Sequence, residues 1–77
     1  MQYAKSLLDV APGERAQVWK LLNEGGIRRR LLDIGLIENT TVECLGESPG
    51  GGISAYLIRG AVIAIRAEDS RKIIVKQ

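Results

Sequence analysis

The sequence predicts a mostly β fold. It reads as a small, partly open barrel of five or six short strands, with one short α-helix inserted at about residues 27–34 and a helical turn at about 67–71. Three observations carry this. Turn signals are dense, with nine Gly and two Pro in 77 residues. Between them, short runs alternate apolar and polar side chains with a period of two, the pattern of half-buried strands. One segment alone changes to a helical period. A sheet this small must curl to bury one face and limit its exposed edges, which favours a small barrel of SH3-like type. The length suits one domain spanning residues 1–77.

The elements follow in order. Lys5–Val10 reads as a short strand leading to Pro12-Gly13, where Pro presets the second position of a turn and Gly supplies φ > 0 at the third. Glu14–Leu22 sets Ala16, Val18 and Leu22 against Arg15, Gln17 and Trp19, and Gly25-Gly26 closes that strand. Ile27, Leu31 and Ile34 then fall at i, i+4 and i+7, one stripe of a helix. Arg29 and Asp33 are spaced to pair along it, worth tenths of a kcal/mol. Gly35 is placed to stop it in a left-handed turn.

Asn39 is a second left-handed turn candidate. Thr40–Leu45 places Val42 and Cys44 on one face, with Thr41, Glu43 and Leu45 on the other. Ser48-Pro49-Gly50-Gly51-Gly52 is the most flexible stretch in the reading. Ile53–Arg59 and Ala61–Arg66 form a hairpin turning at Arg59-Gly60. Ala67–Arg71 has acids first and a base last, as the dipole of a helical turn prefers. Ile73-Ile74-Val75 centres the last strand.

Composition excludes several functions. There is no His and a single Cys, which removes His-based acid–base chemistry, Cys–His nucleophiles and disulfides. A net charge of +2 is too mild to make nucleic acid the default partner, and none is expected. The longest apolar run, Ala61–Ile65, is far short of the roughly 20 residues of a membrane span, so the chain is not itself membrane-inserted. Met1–Ala11 lacks the apolar core of a signal peptide, and a lone Cys suits a reducing compartment, so the expected location is the cytoplasm.

Three segments have a joint resemblance. They are Leu8-Asp9-Val10-Ala11-Pro12-Gly13-Glu14-Arg15-Ala16, then Arg29-Arg30-Leu31-Leu32-Asp33-Ile34-Gly35-Leu36, then Ile58-Arg59-Gly60-Ala61-Val62-Ile63-Ala64-Ile65-Arg66 followed by Lys72-Ile73-Ile74-Val75. Their order and spacing resemble the FeoA family, small cytosolic proteins of bacterial ferrous iron uptake. The resemblance implies an SH3-like barrel with a helix between early strands. It also implies a role beside a membrane-embedded ferrous iron permease of the FeoB type, which carries a cytosolic GTP-binding domain. Two departures stand out: Glu38-Asn39 where the family commonly has Pro-Gly, and Gly51-Gly52-Ile53 where it often has Gly-Pro-Ile. The second leaves the Ser48–Gly52 loop freer.

A family tied to iron invites a metal site, but the residues oppose one. Ferrous sites want imidazole with carboxylate, and Cys44 reads as a small core residue. Asp9, Glu14, Glu43, Glu47, Glu68 and Asp69 offer no pair at ligand spacing beyond Glu68-Asp69, which a helix start explains. No metal ligand, cofactor or catalytic residue is assigned. Ser6, Ser48, Ser54 and Ser70 lack a His base, and Gly50–Gly52 is followed by a strand rather than by the helix of a phosphate loop. Tyr3, Trp19 and Tyr56 are too few and scattered for a groove that grips Pro-rich peptides.

Function then falls to a surface. Arg30 reads as structural, fixing the helix against a carboxylate or carbonyl. Arg28 and Arg29 suit either solvent or a partner. Trp19 is an interface anchor if its strand face points outward and core if the helix covers it. Trp19, Arg28 and Arg29 are therefore the partner-binding candidates. The expected function is a non-enzymatic accessory of ferrous iron transport that docks onto the transporter's cytosolic GTP-binding part, as a monomer or weak oligomer. Two alternatives stand beside it: an SH3-like nucleic-acid-binding module, or a free-standing relative of the SH3-like domain of metal-dependent repressors.

Overall fold

The computed structural model describes residues 5–77, so the part of the leader reading that rests on residues 1–4, and Tyr3, lie outside the described residues. The elements run β1 (Lys5–Ser6), a 3-10 turn (Leu7–Asp9), β2 (Arg15–Leu21), α1 (Gly25–Asp33), β3 (Thr41–Glu47), β4 (Ile53–Ile58), β5 (Ala61–Arg66), α2 (Ala67–Ser70) and β6 (Ile73–Lys76). All six strands join one antiparallel sheet in the order β1-β6-β2-β3-β4-β5. The last strand is thus threaded between the first two, and β1 and β5 form the edges.

The core gathers one face of β2 to β6. Val18, Val42, Ile73 and Val75 are fully buried, with Tyr56, Ile58 and Cys44 beside them. Leu31 and Leu36 close it from the helix side, with Ile27 and Ile34 packed against it. The alternation in β3 is as expected, with Val42 and Cys44 inward and Thr41 and Leu45 outward. A bulge at Leu45 shifts the register between Cys44 and Gly46, and β3 runs on to Glu47.

Four expectations are corrected. Lys5–Val10 does not stay extended. The Asp9 carboxylate accepts hydrogen bonds from the Ser6 N–H and hydroxyl at 3.2 Å each, and this closes a 3-10 turn that sinks Leu7 into the core. Secondly, Leu21 rather than Leu22 turns inward, because β2 carries one extra residue between Val18 and Lys20. The inserted residue is Trp19. Thirdly, Gly25 and Gly26 open α1 instead of closing β2. Finally, the Ser48–Gly52 loop is bonded at both ends. Gly51 N–H donates to the Ser48 carbonyl (2.9 Å), Ser48 N–H to the Ile53 carbonyl (2.7 Å) and Ile53 N–H to the Ser48 hydroxyl (3.2 Å).

The Pro12-Gly13 turn forms as expected, closed by Glu14 N–H on the Ala11 carbonyl at 2.9 Å. The Glu14 carboxylate accepts the Ala11 N–H in return. That bond, then Gln77 and the charge of Lys5, holds its carboxyl below the ordinary value.

The end of α1 is fixed by two bonds: Leu36 N–H to the Leu31 carbonyl and Gly35 N–H to the Leu32 carbonyl, both 3.0 Å. This is a Schellman cap, with the left-handed residue at Gly35 (φ 100°), and Leu31 and Leu36, the positions that commonly pack together in such a cap, are both buried. The β4–β5 hairpin turns at Arg59 (φ 51°) and Gly60 (φ 82°), both left-handed, as a two-residue loop matched to strand twist requires. The Arg59 stem crosses over Gly35, where a Cβ would lie 2.5 Å from Arg59 Cδ. Gly35→Ala should cost about 1–2 kcal/mol for the left-handed backbone alone, read by chemical denaturation. Because Arg59 must also move, Gly35→Ala in an Arg59→Ala background should cost less than in the native chain. Equal costs in both backgrounds would mean that the contact is not felt.

Candidate docking surface

Trp19 lies on the outer face of the sheet and is 41% exposed. Its position follows from the bulge. Val18 pairs with Val75 and Lys20 with Ile74, leaving Trp19 as the unpaired extra residue, and both Trp19 and Lys20 turn to solvent. The Lys20 ammonium sits 4.9 Å from the centre of the indole ring, within range of a cation–π contact. The alternative that α1 covers Trp19 as core is thereby closed.

Arg28 is on the first turn of α1 and reaches back to the exit of β2. Its Nη1 donates to the Leu21 carbonyl at 2.8 Å and, at the 3.5 Å limit, to the Asn23 carbonyl. Leu21 is two residues from Trp19, so the structure brings Arg28 to the indole's strand. The bond also assigns to Arg28 the helix-fixing role that the sequence suggested for Arg30. Arg29 is exposed. The expected Arg29–Asp33 pair does not form: among the described residues the only ion pair joins Arg15 Nε to Glu43 Oε1 at 3.2 Å. Trp19, Lys20 and Arg28 thus share one end of the sheet, with exposed Leu22 following on the same strand exit.

Two features there were not singled out by the sequence reading. Asn23 is 2% exposed, and its amide donates to the Asp69 carbonyl at 3.0 Å, tying the exit of β2 to α2. Its Oδ1 and the Ser70 hydroxyl are buried without a protein partner. The second feature is an open groove of about 560 Å³ between α1 and the β5–α2 corner. Ile27, Ile34 and Ile63 line it, with Arg30, Arg66 and Glu68 contributing charge. Its helix side was visible as the Ile27–Leu31–Ile34 stripe. Its width was not, because periodicity carries no information on how far a helix stands from a strand.

The chain matches the family model for the FeoA domain over residues 5–77. It belongs to the FeoA family. The FeoA protein from Chlorobium tepidum, solved by NMR, superposes with a TM-score of 0.86 at 28% identity, covering 91% of this chain and 67% of that one. FeoA from Stenotrophomonas maltophilia, a procaryotic SH3 domain protein crystallised with zinc, superposes at 0.80 with 22% identity, covering 91% and 87%. A manganese-dependent transcriptional repressor superposes at 0.84 with 17% identity, covering 96% of this chain but 41% of that one. These last two likenesses establish a shared SH3-like fold. Comparison with curated protein sequences finds no match. The FeoA family is associated with ferrous iron transport, and no helix among the described residues is long and apolar enough to cross a membrane.

The donor set of this FeoA chain suits a metal poorly. It has no His, Cys44 is buried in β3, and the described residues hold no cluster of three or more His, Cys, Asp or Glu side chains. Anaerobic calorimetric titration with Fe²⁺ should give weak heats without stoichiometry. A one-to-one site of micromolar affinity would contradict that outcome.

Proposed function

We propose that this FeoA chain is a non-enzymatic accessory of ferrous iron transport that works in the cytoplasm by docking onto the GTP-binding part of a FeoB-type permease. The observation that supports this most is the outward Trp19, held on a strand rather than on a loop, with the Lys20 ammonium 4.9 Å from its ring and Arg28 bonded to the same strand two residues further on. Exposed Trp and Arg are side chains enriched at interface hot spots, where truncation typically costs about 2 kcal/mol or more. Positions fixed on the sheet lose little freedom on binding. Docking regulates a transporter only if the surface binds one of its conformational or nucleotide states better than another. The repressor likeness supports a related reading, in which the same SH3-like unit serves as a regulatory module within a larger chain. Nucleic-acid binding is disfavoured by the +2 net charge and by three aromatic residues, of which Tyr56 is core.

The test is binding of the permease's cytosolic domain to the native chain and to variants. Trp19→Ala should leave thermal unfolding nearly unchanged and weaken binding by about 2 kcal/mol. Arg29→Glu should act on association rate and lose its effect in high salt. Arg28→Ala is the less clean variant, because it also removes the bond to the Leu21 carbonyl. Variants that stay folded and bind like the native chain would place the interface elsewhere, with the α1–β5 groove the next surface to test.

A further inference from the structure

The two edges of the sheet differ in how they are finished. Over the described residues β1 pairs with β6 at Lys5 and Ser6 and then turns away into the 3-10 turn. β5 is six residues long and pairs with β4 without a register shift. Ala61–Ile65 carries no charge and no Pro. Edge strands are normally blunted by charge, Pro, a bulge or shortness, because free N–H and C=O groups invite another strand. β5 has none of these devices before its last residue, Arg66. Val62 on β5 is 66% exposed, more than any other large apolar side chain among the described residues.

The hairpin decides which backbone groups are free. Ile58 and Ala61 flank its two-residue loop and form a hydrogen-bonded pair, so Ala61, Ile63 and Ile65 turn their N–H and C=O groups to β4. Ala67 continues the series, its N–H donating to the Gly52 carbonyl at 2.9 Å. Val62 and Ala64 therefore point both groups away from the sheet, and Arg66 its N–H, while the Arg66 carbonyl, as N-cap of α2, accepts the first bond of that helix. Among the described residues, none of the loop and inter-element backbone bonds uses these three. Ala64 and Arg66 line the open groove between β5 and α1, and no strand among the described residues pairs with this side of β5.

We propose that this edge pairs with the β5 edge of a second copy of the chain, antiparallel, about a two-fold axis at Ala64. In that register Ala64 faces the partner's Ala64, and Val62 faces the partner's Arg66. The ladder then has four bonds with free partners: two between the Ala64 residues, and one at each end from the Arg66 N–H to the partner's Val62 carbonyl. The faces also agree. Val62 and Arg66 both point to the outer side, and Ile63 faces the partner's Ile65 on the inner side. Ala64, the smallest of the three, lies at the axis, where the two backbones approach most closely. Charge adds to the match: Arg59 and Glu68 flank β5 at opposite ends, so the two-fold brings Arg59 to the same end as the partner's Glu68. Such an interface is isologous and closes as a dimer without leading to a filament. It does not depend on the transporter reading.

Sedimentation of the whole chain from micromolar to millimolar concentration tests this. The native protein should pass from 8.4 kDa toward twice that mass. Val62→Lys is at an exposed site and should leave folding intact. It sets a lysine against the partner's Arg66 at both ends, and should weaken dimerisation at least tenfold. Adding Arg66→Glu should restore it, because each introduced ammonium then faces an introduced carboxylate across the interface. Ala64→Pro, which removes only an outward N–H, should keep the thermal midpoint of the dilute native chain and stay monomeric. A native chain that remains at 8.4 kDa at all concentrations overturns the proposal. So does a dimer that Val62→Lys and the charge-swapped double variant form equally well.

Discussion

The rest of the structure turns on one inserted residue. Val18 and Lys20 are paired with neighbouring residues of β6, and the chain between them must bulge. A bulge bends its strand and re-aims the side chains beyond it. Here it does three things at once. It puts Trp19 and Lys20 together on the outer face, and it swings Leu21 against the core. It also leaves the Leu21 carbonyl where Arg28 can reach it, which fixes the start of α1 to the end of β2. Without the insertion, strict alternation would direct Lys20 into an apolar core, at a desolvation cost that a marginally stable small fold cannot absorb.

The helix is held mainly at its ends. The Arg28 bond secures its first turn and the Schellman cap its last, with Leu31 and Leu36 buried beneath. Between them an open groove separates α1 from β5. A helix pinned in this way shields the apolar interior and leaves the neighbouring strand edge uncovered. The outer face carrying Trp19 and the β5 edge are separate features of one sheet, so docking to a transporter and pairing with a second copy need not compete for the same side chains.

Much of this was legible in the chain itself. Pro12-Gly13, Gly35 and Arg59-Gly60 each name a backbone conformation that few residues adopt, and each turn is where those residues put it. The inward positions of β3 and the hairpin follow from alternation. What was not legible shares one cause: a local pattern was overruled by a bond to a distant or unexpected partner. Ser6-Leu7-Leu8-Asp9 reads as extended chain until the Asp9 carboxylate folds back on Ser6. Leu22 alternates correctly with Val18, yet the pairing of β2 with the last strand of the sequence shifts the parity to Leu21. Trp19 could be singled out as a candidate, but only that same pairing decides that it faces solvent. Arg28 and Arg30 look alike in sequence, and only the position of the Leu21 carbonyl separates them.

The central claim is that this chain acts through a fixed surface on which Trp19 is the anchor. Trp19 is the sole tryptophan, so its fluorescence reports that one position. Acrylamide quenching in the free protein should show an accessible indole. On addition of the permease's cytosolic GTP-binding domain, quenching should fall and the emission shift to the blue as the ring leaves water. A complex that forms while quenching and emission stay as in the free protein, or no complex at all, would contradict the account.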